Sequence, residues 1–584
     1  MKELLVIMES FDRERDRASY RFAGLVEVIE ASTLEQVLPA LYRVEAAVES
    51  GLHAAGFISY EAAPGLNPDL IALPPGEFPL LRFGIFEKRL TLSSTPPDDP
   101  LPTAYYRTCD WRTSLSPDEY AVAVERVREY IAAGETYQVN LTMRRTFAFN
   151  GDPYRFYRDL CNSQRTPFCA YLELERYRIL SASPELFFRL DHGTLTTRPM
   201  KGTAGRGRWH ADDEEAKRKL REDPKERAEN LMIVDLLRND MGMVSTTGSV
   251  AVRSMFDIEP LETVHQMTST ITSTLKHGTG IVELFQAMFP CGSVTGAPKK
   301  RTMEIIAEME NTPRGIYTGC IGFISPGPEA VFSVAIRTIV IDTETGSAEM
   351  GLGSGITFDS RAGDEFEECL AKGRFALEQR TEFQLVETML FEEGAGYFLL
   401  ERHLERLRLS AAYFGFRLHE EPIRRALAAR SAPLTGSHKV RLLLSRKGTF
   451  TIQTEPIAAD PDTPLLAAVA EKRVDSRDPF LFNKTTRRPL YSAEPAKRPE
   501  CADLIFLNER NEVTEGAYNN IVVKMDGELI TPPLECGLLP GVFREELLAR
   551  GEIREKVITG EQLRSVEEVY LINSVRKWRR VKLI

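Results

Sequence analysis

At 584 residues the chain is long enough for several domains of ordinary size. Its 43% apolar and 27% charged content is that of a protein that buries real cores, which excludes a disordered or low-complexity chain. The formal net charge of -11 argues against a general nucleic-acid binder, but not against an anionic substrate, because local cations or a metal can override the global sign. The eight cysteines form no C-x-x-C pair, so a zinc site is not expected. The N-terminus, MKELLVIMES, turns acidic before a secretory apolar region is complete, and no run approaches the roughly 20 apolar residues of a membrane span. A cytoplasmic location is expected.

Residues 1–110 read as mixed strands and helices, with a Pro-rich surface stretch, STPPDDPLPT, near their end. A helix is predicted from Ser116 as cap and Pro117 at the first turn, with Tyr120, Val124, Val127 and Ile131 at helical spacing, stopped by Gly134. Residues 137–149 then read as a strand. Strands and helices alternate to about residue 378, with residues 263–275, 320–325 and 331–341 as strands. A second unit, 383–584, opens as strand, turn, strand and helix. The expected organisation is therefore 1–110 and 111–378 as two parts of one domain, then 383–584.

Two stretches carry paired carboxylates. Asp223 and Pro224 open a helix on which Glu226 and Glu229, three apart, share a face; Glu365 and Glu368 repeat the spacing on a second helix. Four such carboxylates could bind one hard divalent cation, although the spacing fits two solvated acidic helix starts equally well. Between them, Gly292, Gly296 and Pro298 make a tight loop before a helix near Lys300, suited to an anion or simply a turn. Glu185 follows a Pro on a strand edge. Lys201 sits in a Gly-flanked loop near Arg198, either a surface charge or, if partly desolvated, a nucleophile.

Taken together, SPELF, RPMKGT, DPKERAENLMIVDLLRND, CGSVTGAPK, AIRT and EFEECLAK resemble, in order, the chorismate-utilising enzymes: anthranilate, isochorismate and aminodeoxychorismate synthases. The lysine in P-x-K-G-T resembles the aminodeoxychorismate synthases, whereas anthranilate synthases typically carry alanine there. The resemblance implies that Lys201 attacks C2 of the chorismate ring and that Glu185 is the general acid for loss of the C4 hydroxyl. Ammonia then enters at C4. It further implies that Glu229 and Glu368 hold Mg2+ with Glu226 and Glu365 assisting, and that His265, Thr295, Tyr317, Arg337, Gly355 and Lys372 contact substrate. No stretch resembles a glutamine amidotransferase, so a separate glutaminase subunit supplying ammonia is the expected partner. The segment MESFDRERDRASYRF resembles, loosely, the region where relatives bind tryptophan.

In 383–584, Lys484 follows an apolar strand, Glu515 lies in VTEG, and Gly541 to Arg544 opens a helix whose amides suit a phosphate. Singly these are a surface cation, a hairpin charge and a helix entry as readily as a site. Together, K-T-T-x-R (Lys484 to Arg487), V-T-E-G-x-x-x-N (Val513 to Asn520) and H-L-x-R-L (His403 to Leu407) resemble the fold-type IV pyridoxal-phosphate enzymes. These include aminodeoxychorismate lyases and branched-chain and D-amino acid aminotransferases. The match implies that Lys484 carries pyridoxal 5'-phosphate, with Arg406, Val542 and Ser574 at its phosphate and Glu515 at the ring nitrogen. It also implies a hydroxyl for proton delivery at Thr388, a substrate carboxylate at Arg446 and a homodimer through this domain. The two resemblances imply an α+β fold: a two-lobed sheet sandwich followed by a fold-type IV α/β domain. The implied function is two-step 4-aminobenzoate synthesis for folate. The alternative is an anthranilate synthase-like component fused to an aminotransferase-like domain.

Overall fold

The computed structural model describes residues 4–11, 18–92, 105–327, 329–377, 382–458 and 465–584. Among the described residues no helix is long and apolar enough to cross a membrane. The chain divides into two compact units, Met1–Gly205 with Lys217–Arg380, and Arg206–Ala216 with Thr381–Ile584. Contiguous sequence reading did not anticipate that eleven residues from the middle of the first half fold with the second.

In the first unit eighteen described strands join in one connected antiparallel sheet system. Cys320–Ser325 pairs with His53–Ile58, so residues 1–110 share sheet with the rest of the unit. The elements that frame the site are β1 (Gln138–Gly151), β2 (Met200–Gly205), α1 (Pro224–Val244), β3 (Val264–Thr274), β4 (Ser347–Ile356) and α2 (Ala362–Gly373). β4 pairs along its whole length with β1, bringing Gly355 opposite Asn140. α1 starts where expected: the Asp223 carboxylate accepts from the amides of Lys225 (2.8 Å) and Glu226 (3.1 Å), satisfying two of the free donors of the first turn. Its Ile233, Val234, Leu237 and Met241 pack into the main core. Phe366 and Cys369 of α2 pack with Tyr120 and Val124 of the helix Pro117–Ala132. Each helix therefore hides an apolar stripe and leaves its carboxylates on another face.

Two local expectations are corrected. Lys201 is not in a loop but in β2, and the β2–β3 register shifts between Met200 and Thr203, with Gly202 at φ 103°. Such a bulge re-aims a side chain out of regular alternation. Residues 331–341 are not one strand: Glu329–Val334 and Thr338–Asp342 are interrupted at Arg337, whose φ is 51°. A non-glycine residue in the left-handed region costs energy and turns the backbone, so the side chain leaves the sheet plane.

In the second unit, β5 (Leu385–Glu392) lies inside a four-stranded antiparallel sheet, covered by α3 (Leu400–Phe414) and paired with β6 (Ser437–Leu444). Leu404, Leu407, Ala411 and Phe414 of α3 share a core with Leu385 and Met389. A second sheet of eight strands includes β7 (Val513–Gly516), β8 (Asn520–Met525) and, beyond α4 (Val542–Ala549), β9 (Glu568–Asn573). Pairing of β7 with both its neighbours closes six of those strands into a ring. The segment Arg206–Ala216 is tied into this unit. Arg206 donates to the Tyr413 carbonyl (2.7 Å), Tyr413 donates its hydroxyl to the Gly207 carbonyl (2.6 Å), and Trp209 packs on Phe482 with centroids 5.0 Å apart.

Candidate active sites

A cavity of about 170 Å³ opens in the first unit. β2 supplies Lys201 and α1 supplies Glu226 and Glu229. β4 supplies Gly351, Gly353 and Gly355, and α2 supplies Glu365, Glu368 and Lys372. Glu185, Tyr317 and Arg337 complete the wall.

The electrostatics follow from burial opposed by neighbours. Burial pushes Glu185 up to about 7 against the Ser293 hydroxyl, the Met200 amide and Lys201, so it is part protonated near pH 7. Burial lowers the Lys201 amine, while Glu229 opposes that shift. Burial brings Arg337 down to about 10, which still leaves it charged: a desolvated guanidinium facing the cavity. Lys372 is held above its ordinary value despite burial by Glu368, 2.6 Å away, and also donates to the Gly353 carbonyl. Burial and the neighbouring Glu229 push Glu226 up to about 7. A site in which Arg337 and Lys372 face the cavity beside a part-protonated Glu185, inside an acidic chain, suits a small dianion.

The four glutamates expected to hold a metal all line this cavity, but they are not equivalent. Glu365 accepts from the Ser354 and Ser360 hydroxyls, and Glu368 is paired with Lys372. No group of three His, Cys, Asp or Glu among the described residues converges closely enough to cage an ion alone. What remains is an all-oxygen donor set, with Glu226 raised by burial and by Glu229, and Glu229 raised by burial and by Glu365 and Glu368. That fits a hard cation which completes its shell with water and substrate oxygens rather than a closed protein cage.

The glycines of β4 have a steric role. A Cβ on Gly351 would lie 2.1 Å from the Tyr317 ring, and one on Gly355 would lie 1.8 Å from Gln138 Nε2 and 2.5 Å from Lys201 Nζ. Gly355 therefore makes room for the lysine, beyond any backbone contact it offers. Two expected contacts stand elsewhere. His265 is fully buried on β3 and does not line the cavity; its neighbour Gln266 does, because successive strand residues face opposite ways. The Thr295 hydroxyl is spent on the carbonyls of Cys291 (3.3 Å) and Gly292 (3.2 Å), while Ser293 and Val294 form the wall.

In the second unit, burial brings the Lys484 amine down to about 7, helped by Arg488 and Arg406. A lysine with that environment is part neutral near pH 7. Arg406 of α3 donates to the Pro540 carbonyl (3.2 Å), beside Gly541 and Val542 at the start of α4. Its other donors grip Glu387 of β5 (2.9 and 2.6 Å), which also takes the His403 ring at 2.6 Å. Despite burial, these cations hold Glu387 down at about 2. Glu515 of β7 is fully buried, which raises its pKa, and it meets Arg488 (3.4 Å), the Leu539 amide (3.2 Å) and Asn520 (3.4 Å). Gly541 cannot carry a side chain, since a Cβ would lie 1.8 Å from Asn520 Oδ1. A desolvated amine, a buried carboxylate, an arginine and free helix-entry amides are the parts that fit an aldehyde cofactor with a ring nitrogen and a phosphate.

The family model for chorismate binding enzyme matches residues 6–378. The chain belongs to that family. A second model, amino-transferase class IV, matches residues 384–584. The chorismate-binding part is 40% identical over 280 residues to aminodeoxychorismate synthase component 1 of Klebsiella aerogenes, covering 48% of this chain and 62% of the relative. It is 39% identical over 265 residues to anthranilate synthase component 1 of Aquifex aeolicus, covering 45% and 53%. The chain thus spans about 60% of the length of the first curated relatives. The crystal structure of anthranilate synthase component I from Streptococcus pneumoniae aligns with TM-score 0.54 and 24% identity, over 63% of this chain and 93% of that one, which shows the fold.

Within this chorismate binding enzyme, Lys201, Glu185, Tyr317, Arg337, Gly355, Lys372 and the four glutamates share one cavity. Arg446 does not meet its expectation. It donates to the Phe414 carbonyl (2.6 Å) and stacks on Phe416 and Phe383, at 4.9 and 5.7 Å, a packing role. On β5, Thr388 alternates away from Glu387, the residue whose charge reaches Lys484. Val542 is the first residue of α4, and Ser574 is buried just beyond β9. Sequence reading missed Glu387, Arg488, Gln266 and Gln138. The doubled arginine after K-T-T was the one available signal for Arg488; the others sit on strands, where type without facing says little. Of the loose tryptophan-site resemblance, residues 12–17 lie outside the described residues.

Proposed function

We propose that this chain makes 4-aminobenzoate from chorismate in two steps, one in each unit. The observation that carries the proposal is Lys201: a buried amine whose proton affinity is lowered, in the same cavity as a buried Glu185 whose proton affinity is raised.

In the first step the neutral Lys201 amine bonds to C2 of the ring, the ring double bonds shift, and the C4–O bond breaks. Glu185 gives its proton to the departing hydroxyl, which leaves as water; the lysine nitrogen is left as a secondary ammonium. Ammonia then bonds to C4, the double bonds shift back, and the C2–N bond breaks to release the neutral lysine. The new C4 ammonium returns one proton to Glu185, so the residues end as they began. Arg337 and Lys372 bind the substrate carboxylates. Glu229 and Glu368, with Glu226 and Glu365 beside them, would hold Mg2+, which would neutralise and orient the ring carboxylate. The ammonia would come from a separate glutamine amidotransferase subunit.

In the second unit Lys484, Arg406, Glu515, Val542 and Ser574 would hold pyridoxal 5'-phosphate, which supplies an electron sink when bound. Arg406, fixed by Glu387, would anchor the phosphate. Glu515 would hold a proton on the ring nitrogen. The Lys484 amine takes the proton from C4 of 4-amino-4-deoxychorismate, the C3–O bond breaks as the ring becomes aromatic, and the departing enolpyruvate takes that proton at its methylene carbon to become pyruvate. A class IV aminotransferase reading predicts amino transfer to 2-oxo acids instead.

The test is purified chain with chorismate, ammonium, Mg2+ and pyridoxal phosphate, with products identified chromatographically. The expected outcome is 4-aminobenzoate and pyruvate in equal amounts. Formation of 2-aminobenzoate would overturn the first step, and amino transfer without pyruvate release the second.

A further inference from the structure

Gln138, the first residue of β1, is 1% exposed, and among the described residues neither its Nε2 nor its Oε1 has a hydrogen-bond partner. A carboxamide buried this way forfeits about 1–3 kcal/mol for each unsatisfied group, so a core glutamine with both ends unpaired needs a reason. Its backbone is held by sheet pairing with Ala297, and its carbonyl accepts from the Thr136 hydroxyl at 3.1 Å. The carboxamide itself points at the space above Gly355. Gln138 Nε2 and Lys201 Nζ lie 1.8 and 2.5 Å from the one point where a Cβ of Gly355 would project. The absent side chain thus brings an unpaired amide and the amine together. An amide turns end for end with almost no change of shape, and nothing bonded to either end opposes that turn.

We infer that Gln138 is a positioning residue for Lys201: its Oε1 accepts one N–H of the neutral amine, so that the nitrogen's single lone pair points away from Gly355 and into the cavity. This rests on the reading of Lys201 as the nucleophile. Gln138 touches no substrate atom and acts only through Lys201; it restricts rotation about the last bond of a flexible side chain, and orientation of a reacting group is worth large factors in rate. A carboxylate at that place would hold a proton on the amine, whereas a neutral amide accepts from it without doing so.

The test is Gln138→Met, which keeps the unbranched shape and removes both polar ends, made in the parent and in Lys201→Ala. Chorismate consumption with saturating ammonium is followed, together with thermal unfolding. The expected result is a kcat about 10- to 100-fold lower with KM for chorismate within about twofold. Thermal stability is kept or raised, because an unpaired buried amide is gone. In the Lys201→Ala background the same change alters residual turnover by less than about threefold, since its target is absent. A parent-like kcat, or an equal loss in both backgrounds, overturns the proposal. If Lys201→Ala alone keeps parental turnover, the nucleophile reading has failed and this inference falls with it. Should Gln138→Met not fold, Gln138→Leu is measured; if neither folds, Gln138 is a structural residue and the inference is wrong.

Discussion

Gly355→Ala is the smallest change that tests the arrangement around Lys201. One methyl would stand 1.8 Å from Gln138 Nε2 and 2.5 Å from Lys201 Nζ, where ordinary contact begins at 3.4 Å. The amide must retreat by about 1.6 Å and the amine by about 0.9 Å. Overpacking of this kind costs ~1–3 kcal/mol when neighbours are well packed. The Lys201 amine, on a long stem that faces the cavity, is displaced together with the amide. A reacting group displaced by about 1 Å loses on the order of 100-fold in rate. We therefore expect kcat for 4-amino-4-deoxychorismate formation to fall about 100-fold, while the urea midpoint shifts by no more than an overpacking cost. The assay is a coupled one, with 4-aminobenzoate read fluorimetrically, alongside supplied 4-amino-4-deoxychorismate as a control on the second unit. Synthase turnover within about twofold of the parent would show that Lys201 does not work from this position.

Lys201→Ala should abolish or divert the first step, and supplied 4-amino-4-deoxychorismate should still yield pyruvate at the parental rate; unchanged synthase activity would refute the covalent role. Glu185 acts protonated and is held at about 7 by burial, so its limb of the synthase kcat profile falls with rising pH. Lys201 acts deprotonated and its pKa is lowered, so its limb rises with pH, giving a bell-shaped profile. Glu185→Gln should lower kcat by about 10²–10⁴-fold and remove the descending limb; a limb that stays in place belongs to another group. Lys484→Ala should lose the near-visible absorbance of bound pyridoxal phosphate and all pyruvate release. If the absorbance and its borohydride-trapped adduct persist in that variant, another lysine carries the cofactor.

What the sequence disclosed, and what it concealed, divides along a physical line. Caps, helix starts and i,i+3 carboxylate pairs depend on neighbours a few residues away, and Asp223, Glu226, Glu229, Glu365 and Glu368 were all readable on that basis. Motif order located Lys201, Glu185, Arg337 and Lys372 without saying how they meet. Facing was not readable. His265 and Gln266 differ by one position on a strand, and the bend that aims Arg337 is a single left-handed residue inside what reads as one continuous apolar run. Gln138 and Gly355 meet through the pairing of β1 with β4, so the vacancy that seats Lys201 is a property of two strands more than two hundred residues apart. Glu387 was hidden for the same reason: beside Thr388 it reads as one more strand glutamate, until α3 places Arg406 and His403 on it. Arg446 shows the converse, because a lone arginine in a strand-end motif suits a substrate carboxylate as well as it suits an aromatic cage, and here Phe383, Phe416 and the Phe414 carbonyl claim it. Charge type can be read along a chain, but partners cannot. Thr295 differs, since its hydroxyl is held locally by the Cys291 and Gly292 carbonyls, but elsewhere the deciding partner or facing is set by an element distant in sequence.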